Sequence, residues 1–541
     1  MGLCDSGDRH PTCDVKLSKH DIEQLDDAYI GTLPEDALRV LTAKLLADLK
    51  EAHDRLGQNP SNSSRPPSSR PPWAGGGASE PPVGAGEGAG GGGEAGSEDS
   101  EVPTSARRDG QAQRAPEKVQ PSQPPPGKAG KRAGSPGHGR TQRLEIDAER
   151  LHRPEVCAGC GAPLSEDAEP RAHAAHYEID LVKRASGNAG LAVVQTKHVY
   201  LECRCGCGHW TRAEPGHCPG QDGWAVALSE RHLAGPLLVA LICALSLRMH
   251  LSRRRIREFL GEWFGLDLAV GTIDRCLREA ARALEPVVQE QVLAEIRAAD
   301  LLHADETGWK QHGRPLWLWV FRCAAATLFV IDRRTQEVLH RVLGAHFAHW
   351  LMSDGYWAYR DYDWRLRCLA HLVRKARGLE ESLEREAQRF GRHLLDTLET
   401  LMAAVYAARE GPPGQGVRER HAPCLAALLD ACLRHSDAAH DKTRALAREL
   451  LNDWDTFWVV LDYPWLPLTN NEAERALRHW VIARRISYGT RTAQGSRAFA
   501  LLASVIETCR QRGASPWPYI AEVLRQRRQG KPAPLLPQFT A

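Results

Sequence analysis

The sequence Leu301-Leu302-His303-Ala304-Asp305-Glu306-Thr307-Gly308-Trp309 decides how the rest of the chain is interpreted. Its apolar start runs directly into two adjacent carboxylates and a glycine, which predicts a buried strand whose end places Asp305 in a cleft. Two further strands are predicted over residues 315–321 and 326–331, where Trp and Phe stand among aliphatic residues. A carboxylate is costly to bury there unless a cation compensates it. Asp305 is therefore either a metal ligand or the acid of a turn or helix cap.

The composition describes an intracellular protein of several domains. The chain has 541 residues, of which 42% are hydrophobic and 26% charged, with 15 cysteines and a net charge of +2. No secretory leader is recognised, so we expect a reducing, cytoplasmic location where clustered cysteines bind metal more often than they pair. The longest apolar run, residues 233–247, contains Pro236 and is too short for a membrane span. No membrane partner is expected.

The amino-terminal part divides into a helix and a linker. Within residues 1–57, Leu38, Leu41, Leu45 and Leu49 have helical spacing, which suits coiled-coil pairing of two protomers or ordinary core packing. Residues 58–145 are rich in Pro, Gly and Ser and predict a flexible linker. An acidic stretch is followed there by a basic one, which indicates either a nucleic-acid tether or a solvated linker.

Two cysteine clusters predict a structural zinc site within residues 146–220. Cys157 and Cys160 form a Cys-x-x-Cys knuckle, and Cys203, Cys205 and Cys207 follow a β-like stretch. Tetrahedral zinc needs four ligands, so the second cluster must supply two. We predict Cys157, Cys160, Cys203 and Cys207, with Cys205 competing for a position and His209 and Cys218 as further candidates. A redox dithiol is the alternative.

Residues 221–295 predict helices, with a break at Gly265 between two of them. Two helices joined by a tight turn, with arginines on the outer face, resemble a helix-turn-helix. Arg253 and Arg254 are the candidate DNA contacts in this region, although many helix pairs share the pattern.

A second acid and a helical insertion follow the strands. After a helix predicted over residues 336–351, Asp354 stands at another strand-to-loop junction, so Asp305 and Asp354 could lie on neighbouring strands. Cys368 and His371 offer only two ligands and are expected to pack beneath the site rather than bind a second zinc. Residues 376–462 predict a helical insertion.

The third acid comes from the segment 467–478. Thr469 and Glu472 have the spacing of a capping box, which leaves Glu474 free to face a cleft. An ion pair of Glu474 with Arg478 is the alternative. The helix carries cations that suit a phosphate backbone lying across an acidic centre. These candidate DNA contacts are Arg475, Arg478, Arg484, Arg485 and Arg491.

Two-metal phosphoryl transfer requires carboxylates that come from separate segments and hold the ions together. On a mixed α/β core, these would be Asp305, Asp354 and Glu474. Hard oxygen ligands favour two Mg²⁺ or Mn²⁺ ions over zinc. We therefore expect two divalent ions at these carboxylates in addition to the structural zinc.

At this point several motifs together resemble a known family. His303 to Trp309, Ser353-Asp354-Gly355-Tyr356, Cys368-Leu369-Ala370-His371 and Thr469 to Arg478 are similar to the TnpC-type DDE transposases of insertion-sequence family sixty-six. Residues 489–497 and 59–69 resemble that family too. Each motif is short and common, but their joint order over nearly the whole chain is specific. The linker tract is longer than the family needs, and the second cysteine cluster is irregular.

The resemblance implies a ribonuclease-H-like core that is interrupted by the helical insertion. It places the first part of the core at 296–375, the last part at 463–525 and a tail at 526–541. It implies that Asp305, Asp354 and Glu474 bind the metals of a transposase that cuts and joins the ends of its element. Expected partners are double-stranded DNA at element termini and at the target, a second protomer, and helper proteins encoded in the same element.

Two other functions remain compatible with the residues. A structure-specific nuclease or junction resolvase could use a similar core and would only hydrolyse DNA. A non-catalytic DNA-binding regulator could use the zinc and helix-turn-helix parts alone.

Overall fold

The computed structural model describes residues 30–58, 62, 145–183, 190–219, 226–411 and 416–539. The chain divides into two units, Met1–Pro71 with Glu145–Ala541, and Pro72–Leu144, and all described residues belong to the first. The predicted linker therefore lies almost wholly outside the described residues, and so do its acidic and basic stretches. In the described part of the chain, no helix is long and apolar enough to cross a membrane.

The first helix contacts the helical insertion through residues near the carboxyl end of the helix. Helix α1 (Glu35–Leu56) pairs Lys50 with Glu384 at 2.7 Å, and the Ser382 hydroxyl donates to Asp54 at 2.6 Å. Leu38, Leu45 and Leu49 are exposed. The helix predicted from the leucine spacing is confirmed, while its pairing with a second protomer stays a prediction.

A small sheet holds the cysteine clusters. The two long strands β2 (Pro170–Lys183) and β3 (Leu191–Arg204) pair antiparallel, and β1 (Ala148–His152) runs parallel to β3. Strand β4 (Trp210–Arg212) pairs with the end of β3, and the short strands β5 (His217–Cys218) and β6 (Leu228–Ser229) pair with each other.

The region after this sheet is helical, as the sequence predicts. It contains α2 (Pro236–Leu247), α3 (Arg253–Phe264), α4 (Val270–Pro286), a π-helical turn (Val287–Val292) and α5 (Leu293–Arg297). The apolar run is the buried helix α2. Gly265 ends α3 at φ 66°, a left-handed conformation that glycine adopts at little cost.

A mixed five-stranded sheet forms the centre of the molecule. Its members are β7 (Leu301–Gln311), β8 (Arg314–Arg322), β9 (Thr327–Asp332), β10 (Trp350–Ser353) and β11 (Arg365–Arg367). The strands lie in the order β11-β10-β7-β8-β9. Strands β7, β8 and β9 form an antiparallel meander, whereas β10 runs parallel to β7 and β11 runs parallel to β10. The three strands predicted around Asp305 are confirmed.

Two local predictions about this sheet are wrong. Asp305 lies inside β7 rather than at its end, because β7 continues to Gln311 through its pairing with β8. The helix predicted over residues 336–351 is the shorter α6 (Gln336–Leu343). Gly344 ends that helix at φ 85°, and Trp350 already belongs to the next strand. A short 3₁₀ helix (Trp357–Asp361) follows Asp354.

Helices complete the fold. They are α7 (Leu369–Glu380), α8 (Arg385–Glu410), α9 (Val417–Arg420), α10 (Ala422–His435), α11 (Asp441–Asn452), α12 (Trp454–Asp462), α13 (Asn471–Ser487), α14 (Ala493–Gln511) and α15 (Pro516–Arg528). Helices α8 to α12 share one hydrophobic core with α7, and α13 and α14 pack on the central sheet. The helical insertion is therefore present between β11 and α13.

Candidate active site

Strand register brings Asp305 and Asp354 together. In the parallel pairing of β7 and β10, Met352 lies opposite His303. Asp305 and Asp354 each follow two residues later, so their side chains leave the sheet at the same level and on the same face. Strand β10 ends at Ser353, while β7 continues past Asp305. Asp354 therefore lies just past the end of its strand, whereas Asp305 lies within β7.

Asn470 fixes the start of α13 against β7. Its side-chain amide donates to the Ala304 carbonyl at 2.8 Å, and its side-chain oxygen lies 3.0 Å from His303 Nδ1. Its backbone N–H donates to the buried Cys368 thiol at 3.2 Å. Glu474 lies one helical turn after Asn470, and residues four apart share one helix face. The contacts of Asn470 with β7 therefore direct Glu474 toward the strand that carries Asp305.

The electrostatics of Asp305 reflect this convergence. Loss of solvation raises its pKa well above the ordinary value, and the negative charges of Asp354, Glu306 and Glu474 raise it further. The Glu306 backbone N–H donates to the Asp305 carboxylate at 2.8 Å. Among the described residues, no cationic side chain forms an ion pair with Asp305. Neighbouring carboxylates, one of which is half-buried and has no ion-pair partner among the described residues, are a favourable site for a divalent cation.

A fourth carboxylate, Glu306, was not assigned a role from the sequence. Its side chain is fully buried, and its oxygens accept hydrogen bonds from Arg334 Nε at 2.8 Å and from the Tyr359 hydroxyl at 2.7 Å. Burial and the Asp354 charge raise the pKa of Glu306 to about 7, although Tyr359 and Arg334 counteract them. The adjacency of two acids in the motif was visible in the sequence, but their partners come from distant segments.

Arg334 connects Glu306 to Asp354. Its guanidinium lies 3.8 Å from an Asp354 oxygen and stacks 3.9 Å from the Tyr356 ring centre. The Trp317 ring lies 4.4 Å away on β8. Asp354 also accepts the Tyr356 backbone N–H at 2.9 Å. Arg334 and its aromatic neighbours therefore hold the orientation of Asp354.

The first turns of α7 hold Glu474. Arg374 donates to a Glu474 oxygen at 3.1 Å, and His371 Nε2 lies 3.7 Å from the same oxygen. Loss of solvation, together with Arg374, Lys375 and Arg367, lowers the pKa of His371 to about 3, so the ring is neutral. Cys368, His371 and Glu474 lie close enough to hold a metal ion. The sequence analysis counted two ligands in the Cys-x-x-His motif, and this count was incomplete, because Glu474 adds a third ligand atom beside Cys368 and His371.

The capping box predicted at the start of α13 is wrong. The helix is capped by Asn470 rather than Thr469, and Asn470 directs its side chain to β7 instead of the helix backbone. Glu472 does have a structural partner, because Arg322 Nε donates to it at 3.1 Å. Glu474 pairs with Arg374 and not with Arg478 in the described contacts.

The predicted cationic track is only partly exposed. Arg484 donates to the Thr307 hydroxyl at 3.0 Å and to the Gly308 carbonyl, so it joins α13 to β7 and is removed from the candidate DNA contacts. Arg475 forms an ion pair with Glu472 at 3.0 Å but remains largely exposed. The other candidates are also exposed, namely Arg478, Arg485, Arg491, Arg253 and Arg254.

The cysteine clusters form a second candidate site. The sulfur atoms of Cys157, Cys160, Cys205 and Cys207 lie within 4.8 Å of one another. Cys203 does not belong to this group, which corrects the prediction of Cys203 as a ligand. It is a fully buried residue of β3, opposite Pro170 and Thr211, whereas Cys205 lies in the turn that follows the strand. His209 and Cys218 also lie outside the group.

The thiols of this site have the environment of a metal knuckle. The Gly159 backbone N–H donates to Cys157 Sγ at 3.4 Å. Backbone hydrogen bonding from Cys160 is the main cause that lowers the pKa of Cys157 to about 6. Cys160 accepts a backbone hydrogen bond from Ala162 that lowers its pKa, but the thiols of Cys207, Cys205 and Cys157 raise it to about 12 overall. Four crowded thiols that compete for protons fit tetrahedral zinc, which binds thiolates.

Comparison with known proteins identifies the class as a transposase, a protein that acts on DNA. Residues 231–498 match the family model described as Transposase IS66 family. The chain belongs to the IS66 transposase family. The matched region begins before α2 and includes Asp305, Asp354 and Glu474.

Two relatives come from Sinorhizobium fredii (strain NBRC 101917 / NGR234). The chain is 25% identical to "Uncharacterized protein y4jD" in an alignment 418 residues long, which covers 69% of this chain and 74% of the relative. It is 27% identical to "Uncharacterized protein y4hP" in an alignment 338 residues long, which covers 54% of this chain and 59% of that relative.

Proposed function

We propose that this protein catalyses metal-dependent cleavage and strand transfer at the DNA ends of its insertion sequence. The observation that carries the proposal is the parallel register of β7 and β10, which places Asp305 and Asp354 at the same level of the central sheet. In addition, the charges of Asp354, Glu306 and Glu474 raise the pKa of Asp305. The strand order supports the proposal, since an antiparallel meander followed by two parallel strands is the arrangement expected of a ribonuclease-H-like core.

Asp305, Asp354 and Glu474 are the residues that would hold two Mg²⁺ or Mn²⁺ ions. Such ions activate an attacking oxygen and stabilise the leaving oxygen of a phosphodiester. The protein contributes the fixed geometry: β7 and β10 set the spacing of the aspartates, and Asn470 sets the position of α13. Water and then a DNA 3′-hydroxyl would act as nucleophiles at the same carboxylates, without a covalent protein–DNA intermediate.

Arg334 and Arg374 would guide the carboxylates during this reaction. Arg334 is shared between Glu306 and Asp354, and Arg374 pairs with Glu474. Each guanidinium keeps a carboxylate in place before the ions bind. Each can turn toward a phosphate oxygen when DNA enters, because guanidinium groups bind carboxylates and phosphates with the same geometry.

The Cys157, Cys160, Cys205 and Cys207 site would hold a structural Zn²⁺ ion. The zinc would fix the turn after β3 to the first knuckle and stabilise the small sheet.

This sheet, the helix pair and the exposed arginines would position DNA. The reaction would require two protomers because two DNA ends must be joined. Helper proteins of the same element would be further partners.

The test uses DNA that carries the element ends, read from the sequence flanking the gene. The protein with Mg²⁺ should nick these ends and join them to a target duplex. Asp305→Ala should bind the same DNA but cleave it on the order of a thousandfold more slowly, since metal positioning contributes several kcal/mol to the barrier. Joined products would distinguish a transposase from a nuclease. An Asp305→Ala variant with full cleavage activity would refute the proposal.

A further inference from the structure

A groove separates the helix pair from the turn that joins α13 to α14. Its volume is about 610 Å³. One wall is the first turn of α3 with part of α4, and the other is the turn at residues 489–495. Trp309 and Phe499 form an apolar floor, with their ring centres 4.7 Å apart. The groove does not contain any of the clustered carboxylates.

The shape of the second wall depends on Gly489. This residue has φ 98°, and a Cβ atom added there would lie 2.1 Å from the Lys310 carbonyl oxygen. Thr490 then pairs with β7, because its N–H donates to the Lys310 carbonyl at 2.9 Å and its carbonyl accepts the His312 N–H at 2.8 Å. The turn is therefore fixed to the central sheet, and Arg491 follows it directly.

The charged residues of the groove are mostly arginines. Arg253, Arg254, Arg278 and Arg491 line it, and Asp274 is the acid among its described lining residues. Asp274 lies 3.4 Å from Arg253 and 3.0 Å from Arg278. Within the described part of the chain, Arg254 and Arg491 have no ion-pair partner, and both are exposed. They line opposite walls of the groove.

The groove is connected to the carboxylate cluster by one helix. Helix α13 starts beside Glu474, and its last turn lines the groove through Ile486 and Ser487. The separation along the helix is roughly 20 Å at 1.5 Å per residue. Arg478 and Arg485 lie on its exposed side, together with the exposed Ile482 and Ile486. Two exposed arginines, Arg478 and Arg485, therefore lie along α13 between the candidate active site and the groove.

We propose that this groove binds the phosphate backbone of duplex DNA about six base pairs from the cleaved end. This inference rests on the proposed function, because it assumes that a DNA end occupies the carboxylate cluster. A distance of roughly 20 Å corresponds to about six base pairs at 3.4 Å each. Arg254 and Arg491 grip the backbone from the two walls, and the contact fixes the register of the end relative to the catalytic carboxylates.

A long polyanion fits this surface better than a small anion. Cations that continue from the groove along α13 match the evenly spaced charge of a nucleic acid, whereas a single phosphate would use only one end of the surface. Contacts of this kind carry no sequence information, so the groove contributes affinity and register rather than base recognition.

The first measurement is the salt dependence of binding to a labelled duplex of random sequence. Arg254→Ala/Arg491→Ala should make the slope of log affinity against log salt less negative by about 1.8, since each phosphate contact contributes about 0.9. The matched control, Arg385→Ala/Arg389→Ala, removes two exposed arginines from α8 on the helical insertion and should keep the wild-type slope.

The second measurement locates the contact. Neutral methylphosphonates are placed one at a time along a duplex that ends at the element terminus. Replacement about six base pairs from that end should weaken binding of the wild-type protein and have little effect on the double arginine variant.

The results of these measurements distinguish the proposal about the groove from the proposal that the protein is a transposase. An unchanged slope in the double variant, or a sensitive phosphate far from the predicted position, would overturn the groove while leaving the transposase proposal intact. A wild-type protein that binds no duplex at all would refute both. A slope change shared equally by the control variant would also overturn the groove, because it would indicate only the loss of net charge.

Discussion

Burial and neighbouring charge act together on the acidic side chains of the candidate active site. Asp305 has three carboxylates in its electrostatic surroundings, and Glu306 is fully buried beside it. Arg334 and Arg374 compensate Glu306 and Glu474, but neither forms an ion pair with Asp305. Asp305 is therefore the acid whose pKa the other three carboxylates raise and which has no ion-pair partner among the described residues. This arrangement is the basis of the proposal that a divalent cation binds at Asp305, Asp354 and Glu474.

The raised pKa values predict how stability depends on pH without divalent ions. Glu306 has a pKa of about 7 in the folded protein, above its ordinary value of 4.5, so its protonated form is favoured by folding. The contribution of Glu306 to the stability of the folded protein is therefore fully present below pH 4.5, and it is lost as the pH rises through 7. Glu306→Gln should therefore lose less stability than the wild type over this interval, measured as the apparent melting temperature without added Mg²⁺.

A matched control is Glu262→Gln, an exposed acid on α3. This variant should follow the wild-type pH profile. Added Mg²⁺ should reverse the trend in the wild type, because the ion binds ionised carboxylates and stabilises more at high pH. Parallel pH profiles for wild type and Glu306→Gln would contradict the burial argument.

Single-residue roles were predictable where they depended on local pattern. Asp305 and Asp354 follow recognisable strand sequences, and the structure brings them together through parallel register. Glu306, Arg334 and Asn470 could not be assigned, because their partners are distant in the chain: Arg334 meets Glu306, and Asn470 meets Ala304. Arg484 was predicted to face DNA because every arginine of a helix looks alike until its packing is known.

The secondary-structure elements explain which predictions were correct. The strands β8 and β9 have strong local signals and are confirmed. The helices predicted on either side of Gly265 are also confirmed, as α3 and α4. The helix predicted to continue to residue 351 ends early at Gly344, where the chain turns toward β10. The second cysteine cluster was ambiguous because Cys203, Cys205 and Cys207 alternate by two residues. Cys203 belongs to β3, which ends at Arg204, whereas Cys205 and Cys207 lie in the turn that follows. The end of the strand therefore decides which cysteines can be ligands.

The zinc assignment gives a direct test with paired variants. Cys205→Ser should lose the bound zinc, because it removes one of four clustered thiols, whereas Cys203→Ser should keep about one zinc per chain. Metal content after purification, measured by mass spectrometry, distinguishes the two. Zinc retained by Cys205→Ser and lost by Cys203→Ser would restore the ligand set predicted from the sequence.

The molecule as a whole is held together by contacts across long sequence separations. Arg528 at the end of α15 forms ion pairs with Glu279 on α4 and donates to the Ala234 carbonyl at 2.8 Å. Asp180 on β2 accepts the Leu238 backbone N–H at 2.8 Å at the start of α2. The small sheet, the helical region and the last helix are therefore joined. The sequence indicated these parts and their order but not the contacts between them.

The location of bound Mn²⁺ tests the central claim most directly. Crystals soaked in Mn²⁺ should show, by anomalous scattering, two ions about 3.5–4 Å apart with Asp305, Asp354 and Glu474 as ligands. Asp305→Asn crystals should lose both ions, while the zinc signal at the cysteines remains. Mn²⁺ bound elsewhere, or bound at this cluster with equal occupancy in Asp305→Asn, would contradict the account.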